Sequence, residues 1–147
     1  MYNFGAKSEE RLNQCHASLK VILRQAIKHM DFSITCGYRG EEEQTKAYET
    51  IDANGNRLSN AQYGESAHNF DISYAVDIVP YPVDWADMER FCYLGGLMKG
   101  IAHAHGIPLT WGYDWNNNGI LVKDDPAESL KDAPHFELSN WKELRDG

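Results

Sequence analysis

Apolar residues recur at three- and four-residue steps along Leu12, Cys15, Leu19, Ile22, Leu23, Ala26, Ile27 and Met30. That spacing predicts an amphipathic helix from about Glu9 to Lys28. Ser8 is its expected N-cap, with Glu9 and Glu10 in the first turn. The stretch from Phe32 to Tyr38 alternates and is rich in strand formers, which predicts a strand that delivers Arg39 at its end, where Gly40 breaks the pattern. Glu41 to Thr50 is a polar run expected to form a short helix carrying Gln44 and Tyr48. From Asp52 to Gly64 no period survives, and Asn54-Gly55-Asn56 signals a turn. This loop runs into Ser66 and His68.

Ala75 to Val79 reads as a buried strand stopped by Pro80 and Pro82. Asp84 is the expected cap of a helix from Trp85 to about His105, with Met88, Phe91, Cys92, Leu97, Met98 and Ile101 as its apolar stripe and Gly106 just past its end. Gly95-Gly96 inside that helix weakens it and predicts close packing against a neighbour. Ile107 to Trp111 is a short strand, Gly112 to Pro134 a long polar loop, His135 to Leu138 a last strand, and Trp141 to Arg145 a last helical turn. The order lacks the regular alternation of a doubly wound sheet. It predicts an α+β fold: one domain over residues 1–147, with a small, mostly antiparallel sheet flanked by helices.

Bulk properties narrow the function. A chain of 147 residues with 42% apolar content is long enough for one real core. A net charge of -8 excludes the basic stripe that nucleic-acid binding needs. It also removes long-range attraction to any polyanion, so a substrate must be held by short-range contacts. Cys15, Cys36 and Cys92 form no C-x-x-C pair, which argues against a cysteine zinc site and fits synthesis in a reducing compartment. Residues 1–10 have neither a basic stretch nor an apolar run, so no signal peptide is expected. No window reaches the ~18 apolar residues of a membrane span. A monomer is the default expectation.

The chemistry concentrates in Ser66-Ala67-His68 through Ala75-Val76-Asp77, and in Asp132-Ala133-Pro134-His135. Two His and one Asp are a familiar ligand set for a catalytic zinc with one position left for water. Asp77 in an apolar strand is costly unless paired or coordinated. Each residue also has an ordinary reading: His68 as a loop histidine, His135 as a satisfied core histidine, Asp77 as the partner of an arginine. His103 and His105 lie two apart on a helix and face different sides, so they do not make a ligand pair. His16 and His29 read as surface residues.

Ser66-x-His68, Ala75-x-Asp77 and Asp132-x-x-His135 together resemble the zinc peptidases of peptidoglycan stem peptides: the D-alanyl-D-alanine carboxypeptidase and dipeptidase family with its L-alanyl-D-glutamate endopeptidase branch, many of whose members are phage endolysins. Asn3-Phe4-Gly5 with Ser8, Gly37-Tyr38-Arg39, and Trp111-Gly112-Tyr113-Asp114-Trp115 extend the resemblance over nearly the whole chain. The separation of His68 from Asp77 is nine residues rather than the family's usual seven, and the Gly between them is missing. Asp77 is preferred to Asp71 because it alone sits in A-x-D before an apolar strand.

The resemblance implies zinc on His68, Asp77 and His135, with Asp132 as general base and then acid. It implies a peptidoglycan stem peptide as substrate and action on the cell wall after release from the cytoplasm. Asp rather than Glu at position 132 favours the L-alanyl-D-glutamate endopeptidase. The competing readings are a D-alanyl-D-alanine carboxypeptidase or dipeptidase, and a metal- or wall-binding module without catalysis. Arg39 is the candidate for a substrate carboxylate or developing oxyanion, against a structural ion pair with Glu41 to Glu43. Ser66 either touches substrate or orients the loop.

A second motif stands apart. Asp114-Trp115-Asn116-Asn117-Asn118-Gly119 fits the D-x-N-x-N-G start of a calcium loop, with Asp125 at the twelfth position. The expected ligands are Asp114, Asn116, Asn118 and Asp125. An Asn-rich turn without an ion is the competing reading.

Overall fold

In the computed structural model, which describes residues 1–147, four strands form one antiparallel sheet in the order β1-β2-β4-β3. They are β1 (Phe32–Cys36), β2 (Ala75–Pro80), β3 (Leu109–Trp111) and β4 (His135–Leu138). Five helices flank the sheet: α1 (Ala6–Leu12), α2 (Ala17–Ala26), α3 (Glu41–Glu49), α4 (Met88–Ala104) and α5 (Trp141–Asp146). The α+β expectation is borne out. No helix is long and apolar enough to cross a membrane.

The long first helix is two helices. The apolar period runs unbroken from Leu12 to Met30, yet the backbone leaves the helix at Asn13–His16. There Ser73 donates its N–H to the Gln14 carbonyl, and His16 donates its N–H to the Ser73 carbonyl. His16 then starts α2, its Nδ1 accepting from Ser18 N at 3.1 Å. Side-chain period registers which face is buried, and both segments bury the same face, so the break is invisible in it. Ser8 is not the cap: helix α1 begins earlier, after Gly5, and the buried Ser8 hydroxyl accepts from Ile34 N at 3.0 Å, tying α1 to β1. Asp84 likewise caps only a turn, accepting from Ala86 N. Asp87 is the true cap of α4, which begins three residues later than expected.

The core joins Leu12, Leu19, Ile22 and Leu23 of the first two helices to Ile34, Val76, Ile78 and Phe136 of the sheet, with Leu94 and Met98 of α4 on the same side. Gly95 is where α4 meets β3: a Cβ there would lie 2.5 Å from the Trp111 ring. Gly106 ends α4 with φ +65°, a conformation that glycine adopts without cost.

Candidate active site

Strands β2 and β4 place the floor of a cleft. Asp77 and His135 are directly paired across them. His68 comes from a single 3-10 turn, Ala67–Asn69, that precedes β2. That turn is built by its own sequence: Ser66 Oγ accepts from His68 N, and Asn69 Oδ1 accepts from Ser66 N and Gly64 N. Ser66 is therefore a local organiser that also lines the cleft. The extra residues between His68 and Asp77 loop outward, with Asp71 and Ile72 exposed. The chain returns at buried Ser73, whose hydroxyl lies 2.7 Å from the Ala75 carbonyl oxygen and 3.1 Å from that of Gly37.

Three ligand-capable atoms converge. His68 Nε2 lies 3.1 Å from Asp77 Oδ1 and 3.2 Å from His135 Nδ1, and His135 Nδ1 lies 3.2 Å from Asp77 Oδ1. Zinc–nitrogen bonds of about 2.0–2.1 Å in a tetrahedron put neighbouring ligands about 3.3 Å apart, so this triangle has the dimensions of one zinc face. The far side of each imidazole is held by an acceptor. His68 Nδ1 sits 2.7 Å from the Gly37 carbonyl, and His135 Nε2 sits 2.7 Å from Glu137 Oε1. Those contacts make the outer nitrogens N–H donors, so that loss of one proton from each ring frees its inner nitrogen, the tautomer a metal requires. Arg39 Nη2 holds the other Asp77 oxygen at 3.2 Å, while Nη1 bonds Gln44 Oε1 at 3.1 Å. Arg39 thus pairs with Asp77 and not with the acids of α3.

Cys36, set aside in the sequence for want of a second cysteine, also approaches. Cys36, His68 and Asp77 offer ligand atoms within 4.8 Å of one another, a group that could hold a metal. The Cys36 sulfur lies 3.7 Å from His68 Nδ1, the nitrogen already engaged with Gly37. The triangle with His135 uses the free nitrogen and faces the cleft.

The charges respond to this crowding. Burial alone would push the His68 imidazole down, but the charge and hydrogen bond of Asp77 raise it to about 9. Burial opposes His135 too, and Asp77 and Glu137 raise it to about 10. Asp77 is half-buried, and desolvation alone would raise it, yet the His68 charge and the hydrogen bonds from His135 and His68 hold it well below the usual carboxylate range. Asp132 moves the other way: burial lifts its carboxyl above the ordinary value, against the pull of His135. Its backbone is fixed by Gly112, whose carbonyl accepts from Asp132 N at 2.8 Å. A Cβ at position 112 would lie 2.1 Å from the Asp132 carbonyl oxygen, so only glycine lets the two chains pass.

The cleft has a volume of about 630 Å³ and includes Arg39, Ser66, His68, Asp77, Asp132 and His135 in its lining. Every residue singled out for the first ion or its substrate therefore meets in one place. The four proposed calcium ligands do not: they gather in the separate loop after β3. There Asp114 accepts from Asn118 N and Gly119 N, and the Asn116 and Asn118 amides donate to Asp125 Oδ2 at 3.1 and 2.7 Å. Glu128, which the motif did not include, bonds Asn116 N through one oxygen and buries the other without a partner. His103, His105 and His29 are exposed and play no part in either group.

Residues 1–139 match the family model described as phage L-alanyl-D-glutamate peptidase. The chain belongs to that family. It is 28% identical over 142 residues to the L-alanyl-D-glutamate peptidase of Escherichia phage T5, covering 93% of this chain and 98% of that one. It is also similar to the crystal structure of the Serratia marcescens L-Ala D-Glu endopeptidase ChiX, with a TM-score of 0.67 and 26% identity over 96% of this chain and 93% of that one. The resemblance read from the motifs is borne out at the level of family and fold.

Proposed function

We propose that the chain is a zinc-dependent endopeptidase that hydrolyses the L-alanyl–D-glutamate bond of peptidoglycan stem peptides, in the manner of a phage endolysin acting on the host wall. The observation that carries this reading is the triangle of His68 Nε2, Asp77 Oδ1 and His135 Nδ1 at the floor of the cleft. Those three residues would hold the zinc. Bound there, zinc supplies Lewis acidity at the scissile carbonyl and a water acidic enough to react near neutral pH. Asp132, with a raised pKa and a place in the same cleft, takes the proton of the attacking water and passes it to the leaving amine of D-glutamate. Arg39 fixes the second oxygen of Asp77 and turns its remaining N–H groups toward substrate oxygens. Ser66 fixes the turn that presents His68. The unit is a single domain working as a monomer, released from the cytoplasm before it meets the wall.

Digestion of purified muropeptides tests the reaction. A new N-terminal D-glutamate is expected, and Asp132→Asn should retain zinc but lose cleavage. Released D-alanine in place of D-glutamate ends, or full activity in Asp132→Asn, would overturn the assignment.

For the loop after β3 we infer calcium bound by Asp114, Asn116, Asn118 and Asp125. The spacing supports it, as does the buried, unpartnered Glu128 oxygen beside Asn116. Calcium added to zinc-loaded enzyme should raise its melting temperature. An unchanged melting curve and unchanged activity remove the idea.

A further inference from the structure

Trp115 belongs to the Asn-rich loop by sequence, yet its indole lies in the cleft. It makes two separate contacts there. Its ring stacks on His135, with centroids 5.3 Å apart and planes 29° from parallel. Its edge donates from Nε1 to the Leu130 carbonyl at 3.1 Å. The first contact touches a proposed metal ligand. The second holds the chain two residues before the proposed base, with only exposed Lys131 between.

His135 is held at its ring edges, by Glu137 at Nε2 and by Asp77 and His68 at Nδ1, and the Trp115 indole adds a contact on its face. Residues 126–131 carry no regular structure, and Asp132 is anchored by its backbone to Gly112. The indole, in contrast, stands on a firm base. On one side Asp114 accepts from Asn118 N and Gly119 N, and on the other Asn116 N donates to Glu128. A flat ring of this size, pinned at both flanks, can limit two neighbours at once.

We propose that Trp115 is a positioning residue that locks the His135 ring and the Leu130–Asp132 segment into one unit, so that metal ligand and base keep a fixed spacing. The stacked face keeps His135 Nδ1 in the ligand triangle. The N–H clamp keeps the Asp132 carboxylate at its working distance. Displacing a catalytic group by about 1 Å costs on the order of 10²-fold in rate, so the clamp matters even though it makes no bond to Asp132 itself. This inference rests on His135 being a zinc ligand.

Two substitutions separate the face from the edge. Trp115→Phe keeps an aromatic face and removes the N–H; Trp115→Ala removes both. Zinc affinity is read by competition with a chelator, beside kcat and KM on muropeptide and the melting temperature. Trp115→Ala should weaken zinc binding about 10-fold and lower kcat by about 10-fold or more. Trp115→Phe should hold zinc within about 3-fold of the wild type while kcat still falls by about 10-fold. A rise in KM alone, with kcat and zinc affinity unchanged in both variants, would make Trp115 a wall of the substrate site and overturn the proposal. Equal losses of zinc affinity in Phe and Ala variants would overturn it as well. His135→Ala is the control: if it keeps wild-type zinc affinity, the metal-centre reading fails; if it loses zinc while Trp115→Ala does not, only the positioning role fails.

Discussion

Two regions of this molecule gather carboxylates, and they treat them differently. On the cleft floor, Asp77 faces two imidazoles and a guanidinium at 3.1–3.2 Å, all half-buried or deeper. Nothing there is a neutral donor shaped for a carboxylate, so the groups must share protons and their pKa values separate widely. In the loop after β3, Asp114 and Asp125 are met by backbone N–H groups and neutral amides. Asp125 is lowered by its bond from Ala127 N and then by the Asn118 and Asn116 amides, with no ion pair among the causes. In the first set, protonated imidazoles stand where a metal would bind, and a metal must displace their protons. In the second, the protein's own donors meet Asp114 and Asp125, and only the buried Glu128 oxygen is left without a partner. Carboxylate count alone does not mark a strong metal site; the shortage of good neutral partners does.

The sharpest way to break the comparison is at the floor. His68→Ala or Asp77→Ala should abolish zinc retention and reduce muropeptide cleavage to background, whereas Asp125→Ala should leave zinc content unchanged. Wild-type zinc content in the floor variants would refute the contrast. Glu137→Gln is the next largest effect: weakening the acceptor on His135 Nε2 should reduce zinc affinity or activity about 10- to 100-fold, seen by chelator competition. A zinc affinity equal to the wild type would show that the contact does not orient the ring.

The third prediction is a pair of opposite pH trends. His68 and His135 are raised from the ordinary 6.5 to about 9 and about 10. In metal-free protein their contribution to stability is complete below about pH 6.5 and is lost as pH rises through about 9 to 10. Zinc must displace those protons, so its affinity rises over the same interval. The melting temperature of chelated protein should fall from pH 7 to 10 while zinc competition improves; parallel trends would count against the cluster. The smallest effect is calcium: Asp125→Asn should flatten any calcium-dependent rise in melting temperature, with the zinc-loaded baseline little changed.

Much of this arrangement was readable in the chain. Asp77 and His135 carry local signals, a costly acid in an apolar strand and a histidine opening a strand, whereas Ser66 and His68 stood out through the S-x-H of the family resemblance. What could not be read was anything set by a partner distant in sequence. Gly37 matters through its carbonyl, which leaves no trace in residue type. Cys36 and Trp115 reach the site only because β1 pairs with β2 and the loop folds back on β4. The break at Asn13–His16 was hidden because it is made by Ser73, some sixty residues on. Gln44 offered a fainter clue, as an amide in a polar helix that proves fully buried, bridging Arg39 and Asn69 to the loop at Ser59 and Ala61.

The outward turn at Asp71 and Ile72 has a practical consequence. Because Ser73 re-anchors the chain before β2 begins, the length of that detour is uncoupled from the distance between the two residues that flank it. A short foreign peptide, such as an epitope or a wall-targeting sequence, could be spliced there with the floor left undisturbed. Searches for distant kin should accordingly allow a gap of variable size at this point and score the anchors on either side.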